Sequence, residues 1–221
     1  MVRSLARVYD GRDWWPGRGP FEICLGAILV QNTSWENATR AIDALRQRRL
    51  LQPERLAAAA GTLLQDAVRP AGCYRQKAHR LQVFSRWWLD AGGMPGLGQV
   101  PTGTLRERLL VLHGIGPETA DCILLYALGR PVFVVDAYTR RLLARLDLAE
   151  VPSGRRAYEA LRRRIETLAG PDALFLGELH ALIVEHGKTR CRATPRCDGC
   201  PLRRGCSFSA SPPTGRRTSR R

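Results

Sequence analysis

The sequence predicts an all-α protein, and three observations carry this prediction. Apolar residues recur at spacings of three and four, the period of a helix with one buried face. Two-residue alternation is scarce, and the apolar run at residues 131–135 is too short to indicate a sheet. Helix-start and helix-stop residues flank several of these stretches. The periodic stretches are residues 21–29, 38–45, 81–88, 105–112, 120–128, 138–146 and 174–186.

The breaks between these stretches are expected to separate helices rather than domains. They fall at Gln52 and Pro53, at residues 70–72 and at residues 91–103, where proline and glycine interrupt the pattern.

Residues 104–129 predict two helices joined by a tight turn. Thr104 with Glu107 three residues later is a capping box that would start the first helix. The turn at residues 113–116 ends it, and Pro117 is placed to begin the second helix because the first helical position needs no N–H donor. Gly129 would end that helix in the left-handed conformation.

The glycines of this turn are candidate phosphate contacts. A turn of this kind exposes backbone N–H groups beside a helix N-terminus, which together attract an anion. Gly114 and Gly116 are therefore predicted DNA-contact residues, although such a turn, taken alone, more often only packs two helices. Asp136 is predicted to cap the following helix, residues 137–146.

Four cysteines near the end of the chain have the spacing of metal ligands, with five, two and five residues between them: Cys191, Cys197, Cys200 and Cys206. Seven cysteines without a signal peptide predict a reducing cytoplasm, so a metal site is favoured over disulfides. Four thiolates suit either zinc or an iron–sulfur cluster, and spacing alone does not choose between them.

Other cysteines and the surrounding arginines have simpler interpretations. Cys24, Cys73 and Cys122 occur in apolar helical contexts and are predicted to be buried packing residues. The arginines around the four ligands form either a solvated loop or, if a metal fixes the loop, a phosphate-binding surface. They are Arg190, Arg192, Arg196, Arg203 and Arg204.

Composition indicates a polyanionic partner. The 221 residues carry a net charge of +15, and no stretch of 18 apolar residues predicts a membrane span. Residues 207–221 contain proline, serine, glycine and arginine with no apolar face, so a disordered tail with at most non-specific DNA contact is expected.

Three motifs resemble one known family. Leu112-His-Gly-Ile-Gly-Pro-Glu-Thr-Ala-Asp121, followed by Val134-Val-Asp136, resembles the helix-hairpin-helix and Gly/Pro-Asp core of the endonuclease III superfamily of DNA glycosylases. Ile28-Leu-Val-Gln-Asn-Thr-Ser-Trp35 and Gly72-Cys-Tyr-Arg-Gln-Lys-Ala78 resemble two further segments of that family. The resemblance covers roughly residues 20–206.

The resemblance implies a two-domain helical fold. Residues 22–132 would form a six-helix barrel domain with the hairpin, while residues 1–21 and 133–206 would form a [4Fe-4S] cluster domain. Family members usually have six residues in the first cysteine gap, where this chain has five. The implied protein is a cytoplasmic, nucleoid-associated monomer that binds double-stranded DNA in the cleft between the two domains.

The resemblance also assigns roles. Asp136 would stabilise the developing charge on the sugar or orient the attacking water, and Gln31 would fill the gap left by a flipped nucleotide. The second wedge position carries Cys73, a small side chain, and Lys77 is expected near a phosphate. Trp35, Tyr74 and Tyr126 are candidates for stacking on the base, although aromatic residues at helical spacing are more often core.

Glu118 is a departure from the bifunctional branch of the family. That branch has a lysine there, which forms a Schiff base with the sugar and leads to strand cleavage. A carboxylate cannot form an imine, and the other lysines, Lys77 and Lys188, are not obvious substitutes. The sequence therefore predicts a glycosylase that only hydrolyses. A bifunctional lyase using another amine and a DNA-structure binder with little turnover are the alternatives.

Overall fold

The computed structural model describes residues 1–149 and 154–210, and within them every regular element is a helix. The all-α prediction is confirmed. In chain order the α-helices are α1 (Val2–Ala6), α2 (Pro20–Leu29), α3 (Trp35–Gln47), α4 (Pro53–Ala58), α5 (Gly61–Val68), α6 (Tyr74–Asp90), α7 (Gly93–Gly98), α8 (Thr102–Val111), α9 (Pro117–Cys122), α10 (Ala137–Arg145), α11 (Arg155–Ala169), α12 (Ala173–Thr189) and α13 (Ser207–Ala210).

Helix packing places the elements in two groups. Helix α6 packs against α4 and α5, α3 packs against α5, and α2 packs against α3, α6 and α9. Helix α12 packs against α1, α10 and α11. A π-helical turn, Ile123–Ala127, continues α9 and contacts both α2 and α12, so it joins the groups. The domain boundaries expected from the sequence stay predictions.

Two helix boundaries differ from the sequence prediction. The start at Thr104 is wrong, because Leu105 N–H donates to the Pro101 carbonyl oxygen at 2.9 Å and α8 therefore begins at Thr102. The break predicted at residues 91–103 contains α7, which begins after Gly92 in the left-handed region at φ 76°.

The prediction of a disordered tail is wrong for residues 207–210. Residues Ser207–Ala210 form α13, and the Phe208 ring lies 4.7 Å from the Arg145 guanidinium carbon. This contact gives the segment a partner that its composition did not indicate. Residues 211–221 lie outside the described part of the chain.

No single helix in the two described ranges is both long and apolar enough to cross a membrane. Helices α11 and α12 meet that requirement only when taken together, and they are bent by 118° relative to one another.

Candidate active site and DNA interface

A cleft of about 620 Å³ is lined by residues of α9, α10 and α12 and of the segments that precede α2 and α3. The side chains of Glu118 and Asp136 both line it, so the structure brings together the two acidic residues singled out in the sequence. The aromatic residues along the cleft include Trp14, Trp15, Trp35, Tyr138 and His180.

Asp136 is fixed at the N-terminus of α10. Its Oδ1 accepts a hydrogen bond from Thr139 N–H at 2.7 Å, which confirms the predicted cap. The residue is 7% exposed, and burial alone would raise the pKa of its carboxyl. The nearby His180 ring and the Thr139 N–H outweigh burial and hold the pKa of Asp136 below its ordinary value. Asp136 is therefore an ionised carboxylate in the cleft.

His180 is a site residue that the sequence did not reveal. It lies in α12, is 3% exposed, and places Nε2 3.7 Å from Asp136 Oδ2. Its other ring nitrogen, Nδ1, lies 2.6 Å from the Tyr126 hydroxyl, which is also 3.2 Å from the Gly177 carbonyl oxygen. Tyr126 belongs to the π-helical turn, an irregularity that often occurs at functional sites.

The pKa of Glu118 is shifted in the opposite direction to that of Asp136. It lies in the first turn of α9. Glu118 is partly open to solvent, yet desolvation by the surrounding protein raises the pKa of its carboxyl, and the negative charge of Asp136 raises it further. His180 and Arg140 offset part of the effect. The pKa values of the two carboxyls are thus shifted in opposite directions, as expected when one carboxyl holds a proton and the other does not.

Aromatic rings form one wall of the cleft. The Trp15 ring centroid lies 5.2 Å from that of Trp35 and 4.8 Å from that of Tyr126, and Trp14 lies 6.0 Å from Tyr126. Trp14 and Trp15 were missed because no helical period or motif includes them. Tyr74 does not line this cleft, and its ring instead lies 4.7 Å from the Arg69 guanidinium carbon.

The hairpin between α8 and α9 is held by Gln31. The Gln31 side-chain amide donates to the Gly114 carbonyl oxygen at 3.0 Å and to Thr119 Oγ1 at 2.8 Å, and Oε1 accepts from Arg80 Nη1 at 2.6 Å. Gly114 has φ +83°, and a Cβ there would collide with the Arg80 side chain. The wedge role of Gln31 stays a prediction, and insertion into DNA would require these hydrogen bonds to break.

Lys77 requires a correction. Its side chain is buried, at 2% exposure, and Nζ donates to the carbonyl oxygens of Leu29, Gln31 and Ala71 at 2.9, 2.8 and 2.6 Å. An ammonium has three N–H donors, so all of them have protein acceptors. In this arrangement Lys77 ties α6 to the end of α2 and does not present its charge to a phosphate.

Cys73 differs from one of its two predictions. Cys24 and Cys122 are buried as expected, but Cys73 is exposed and precedes α6 in the left-handed conformation with φ +44°. The packing role predicted for Cys73 is wrong. Its role at the wedge position stays a prediction.

The four spaced cysteines line one pocket together with residues of α10 and α12. Arg145 Nη1 lies 3.2 Å from Cys191 Sγ and donates to the Arg192 carbonyl oxygen at 2.7 Å. Across the residues with described structure, no three His, Cys, Asp or Glu side chains are arranged to hold a single metal ion. The four cysteines thus line one pocket, and the metal site predicted for them stays a prediction.

The arginines near these cysteines divide into two kinds. Arg190 is partly buried, and its Nη1 donates to the Asp198 carbonyl oxygen at 2.6 Å. This hydrogen bond links the end of α12 to the cysteine loop. Arg192 and Arg196 are exposed on the same loop. The phosphate contacts predicted for all three stay predictions.

The chain matches a known protein family. The family profile for the HhH-GPD superfamily of base excision DNA repair proteins matches residues 25–167, a range that includes the hairpin and Asp136. The chain belongs to this superfamily. The endonuclease III resemblance is therefore confirmed.

Two relatives extend the match over most of the chain. A Methanocaldococcus jannaschii protein assigned to the DNA repair glycosylases is 40% identical over 209 residues, which cover 93% of this chain and 94% of the relative. Endonuclease III of Thermotoga maritima is 31% identical over 190 residues, covering 86% and 83% respectively.

Solved structures of the superfamily share the fold. The 3-methyladenine DNA glycosylase of H. pylori, bound to 1,N6-ethenoadenine, aligns with a TM-score of 0.70 and 30% identity over 85% of this chain and 94% of that one. An endonuclease III trapped as a covalent intermediate with DNA aligns with a TM-score of 0.79 and 22% identity, covering 95% and 93%. This confirms the endonuclease III-like fold.

Proposed function

We propose that this chain is a DNA glycosylase of base excision repair that flips a damaged or mismatched base out of double-stranded DNA and removes it by hydrolysis. The observation that carries the proposal is the pairing of Asp136 and Glu118 in one cleft beside the hairpin, with their pKa values shifted in opposite directions. Membership of the superfamily supports the DNA substrate.

The proposed chemistry assigns one task to each acid. When the C1′–N bond breaks, positive charge develops on the sugar, and the ionised Asp136 carboxylate stabilises it. Glu118, whose raised pKa favours the protonated form, donates to the departing base. Base removal by this route needs water as the nucleophile and no lysine. Strand cleavage is not part of the reaction.

The proposed DNA interface surrounds the cleft. Gly114 and Gly116 offer backbone N–H groups at the start of α9, and Arg192 and Arg196 add exposed positive charge on the cysteine loop. Gln31 is the proposed wedge, because it is hydrogen-bonded to the hairpin and its sequence neighbours Val30 and Asn32 line the cleft. The net charge of +15 supports association with DNA backbone.

We also propose that Cys191, Cys197, Cys200 and Cys206 hold a [4Fe-4S] cluster. Four soft thiols around one pocket suit an iron–sulfur cluster, and membership of the superfamily supports this choice over zinc. Bound there, the cluster would supply four metal–thiolate links that fix the loop carrying Arg192 and Arg196. Iron and sulfide analysis and visible absorption of the purified protein test this assignment, and stoichiometric zinc without iron would refute it.

One assay series tests the glycosylase proposal. Purified protein is incubated with duplexes carrying alkylated purines, oxidised pyrimidines, mismatches or an abasic site, and the products are separated with and without alkali. Breaks that require alkali support hydrolysis alone. Binding without base release from any of these duplexes would favour the DNA-structure binder instead.

The bifunctional alternative is kept because Lys188 lines the same cleft. Its Nζ lies 3.2 Å from Glu185 Oε1 and 5.0 Å from the centre of the Trp14 ring, and the side chain is 40% exposed. Borohydride trapping with an abasic duplex separates the two proposals. An adduct in the natural protein that is lost in Lys188→Gln would establish the lyase and refute the hydrolysis-only proposal.

A further inference from the structure

We propose that His180 and Asp136 together hold the water molecule that attacks the sugar, so that His180 is a second catalytic residue of this site. The proposal rests on the hydrolytic function proposed above. It adds a residue that no sequence motif indicated and gives the nucleophile a defined position.

The unsatisfied ring nitrogen of His180 is the first observation. Nε2 is buried and has no hydrogen-bond partner within the described residues. Buried polar atoms usually have partners, and an orphan often marks the place of a water or substrate. The residue is 3% exposed, so bulk solvent does not provide that partner.

The separation of the two groups is the second observation. Nε2 lies 3.7 Å from Asp136 Oδ2, which is too far for a direct hydrogen bond. A single water at about 2.8 Å from each atom can bridge such a separation, and a small movement of the ring would admit it, because Nε2 is closed to solvent in this structure. Because Asp136 and His180 both line the cleft, a water between them faces the space that the flipped nucleotide would occupy.

The surroundings hold the ring in this orientation. Nδ1 is engaged by the Tyr126 hydroxyl at 2.6 Å, so only Nε2 is left to face the cleft. The Asp136 carboxylate is the acceptor on that side, so we assign a proton to Nε2, and this N–H donates a hydrogen bond to the water. The water in turn donates to Asp136 Oδ2, and a lone pair is left for C1′.

The step balances without a further reactant. The water oxygen forms the new bond to C1′, and the C1′–N bond breaks with its electron pair leaving on the base. The water proton passes to the Asp136 carboxylate, and the base takes a proton from Glu118. Exchange with solvent then restores both carboxyl groups.

Two substitutions separate this catalytic role from a structural one. The His180→Gln variant keeps a polar group near the Nε2 position, whereas His180→Asn keeps one near Nδ1, where it can still meet Tyr126. On a duplex that the natural protein processes, we expect the single-turnover rate of base release to fall about 100-fold in His180→Asn and less than about 10-fold in His180→Gln. Affinity for a duplex with a stable abasic analogue should not change.

A competition experiment does not depend on how much of a variant folds. With methanol added, attack by methanol gives an alkali-stable methyl glycoside, while attack by water gives the alkali-labile abasic product. If the water is held by His180, His180→Asn should raise the methyl glycoside share above that of the natural protein. An unchanged product ratio, or equal rates in His180→Asn and the natural protein, would overturn the proposal for His180. If the natural protein releases no base from any duplex, the glycosylase proposal itself fails.

Discussion

Glu118 and Asp136 line one cleft, and the negative charge of Asp136 helps to raise the pKa of Glu118. The pKa of Asp136 itself is lowered, because His180 and the Thr139 N–H outweigh its burial. A protonated and an ionised carboxyl can therefore coexist at pH values between the two shifted pKa values.

The Glu118→Lys substitution should create strand-cleaving activity. It places an amine in the cleft at the position where the bifunctional branch has its nucleophile, and a lysine can form an imine with the aldehyde of an abasic site. Borohydride should trap a covalent protein–DNA adduct with Glu118→Lys and none with Glu118→Gln. The Lys188→Gln substitution in the same background excludes an adduct through Lys188. Absence of any adduct would mean that this position does not reach C1′.

The base-release rate should depend on the protonation of Glu118. Because the pKa of Glu118 is raised above its usual 4.5, the protonated donor is lost as pH rises through that higher value, and the rate should fall there. Asp136, with its lowered pKa, stays ionised over the same range. In Glu118→Gln the declining limb should disappear, because an amide does not titrate. A limb that persists in this variant would assign it to another group.

The same shift predicts a change in stability. A carboxyl with a raised folded-state pKa stabilises the fold below its unfolded pKa, and this contribution is lost as pH rises through the folded value. Glu118→Gln should therefore gain stability relative to the natural protein at neutral pH, and the difference should shrink in acid. Thermal unfolding of both proteins across that pH range measures the effect.

Asp136→Asn should lose base release by about 100-fold or more while keeping its fold. Asparagine caps a helix about as well as aspartate, so the free energy of unfolding should change by no more than about 1 kcal/mol. Asp172→Asn is the matched control, because Asp172 caps α12 with the same kind of bond, to Leu174 N–H at 2.9 Å, and does not line the cleft. Equal loss in both variants would point to helix capping rather than catalysis.

Local sequence rules predicted the parts of the site that depend on neighbouring residues. The cap by Asp136 and the left-handed stop at Gly129, with φ +60°, follow from residue types within one turn of each other. His180 and Trp14 could not be found this way. Their ring centroids lie 6.0 Å apart, although the residues are 166 positions apart in the sequence. No periodic pattern predicts a contact of that kind.

The burial of Lys77 also could not be predicted from the local sequence. Its motif indicated a lysine for the DNA backbone, but whether an ammonium faces solvent or carbonyl oxygens depends on how the end of α2 lies over α6. The three carbonyl acceptors come from Leu29, Gln31 and Ala71, two of them more than 40 positions away. Tertiary packing, not the local pattern, decided the role.

Lys77→Met should therefore destabilise the protein without changing how it senses phosphate charge. Removing the ammonium leaves three buried carbonyl oxygens without their donor, and we expect a loss of about 2 to 4 kcal/mol in the free energy of unfolding. The salt dependence of DNA binding, measured on folded protein below its melting temperature, should keep its slope, because no phosphate contact is lost. Arg75→Gln is the comparison, since Arg75 is exposed one residue after the start of the same helix. A shallower slope for Lys77→Met, with unfolding unchanged, would restore Lys77 to the DNA interface and contradict the buried arrangement.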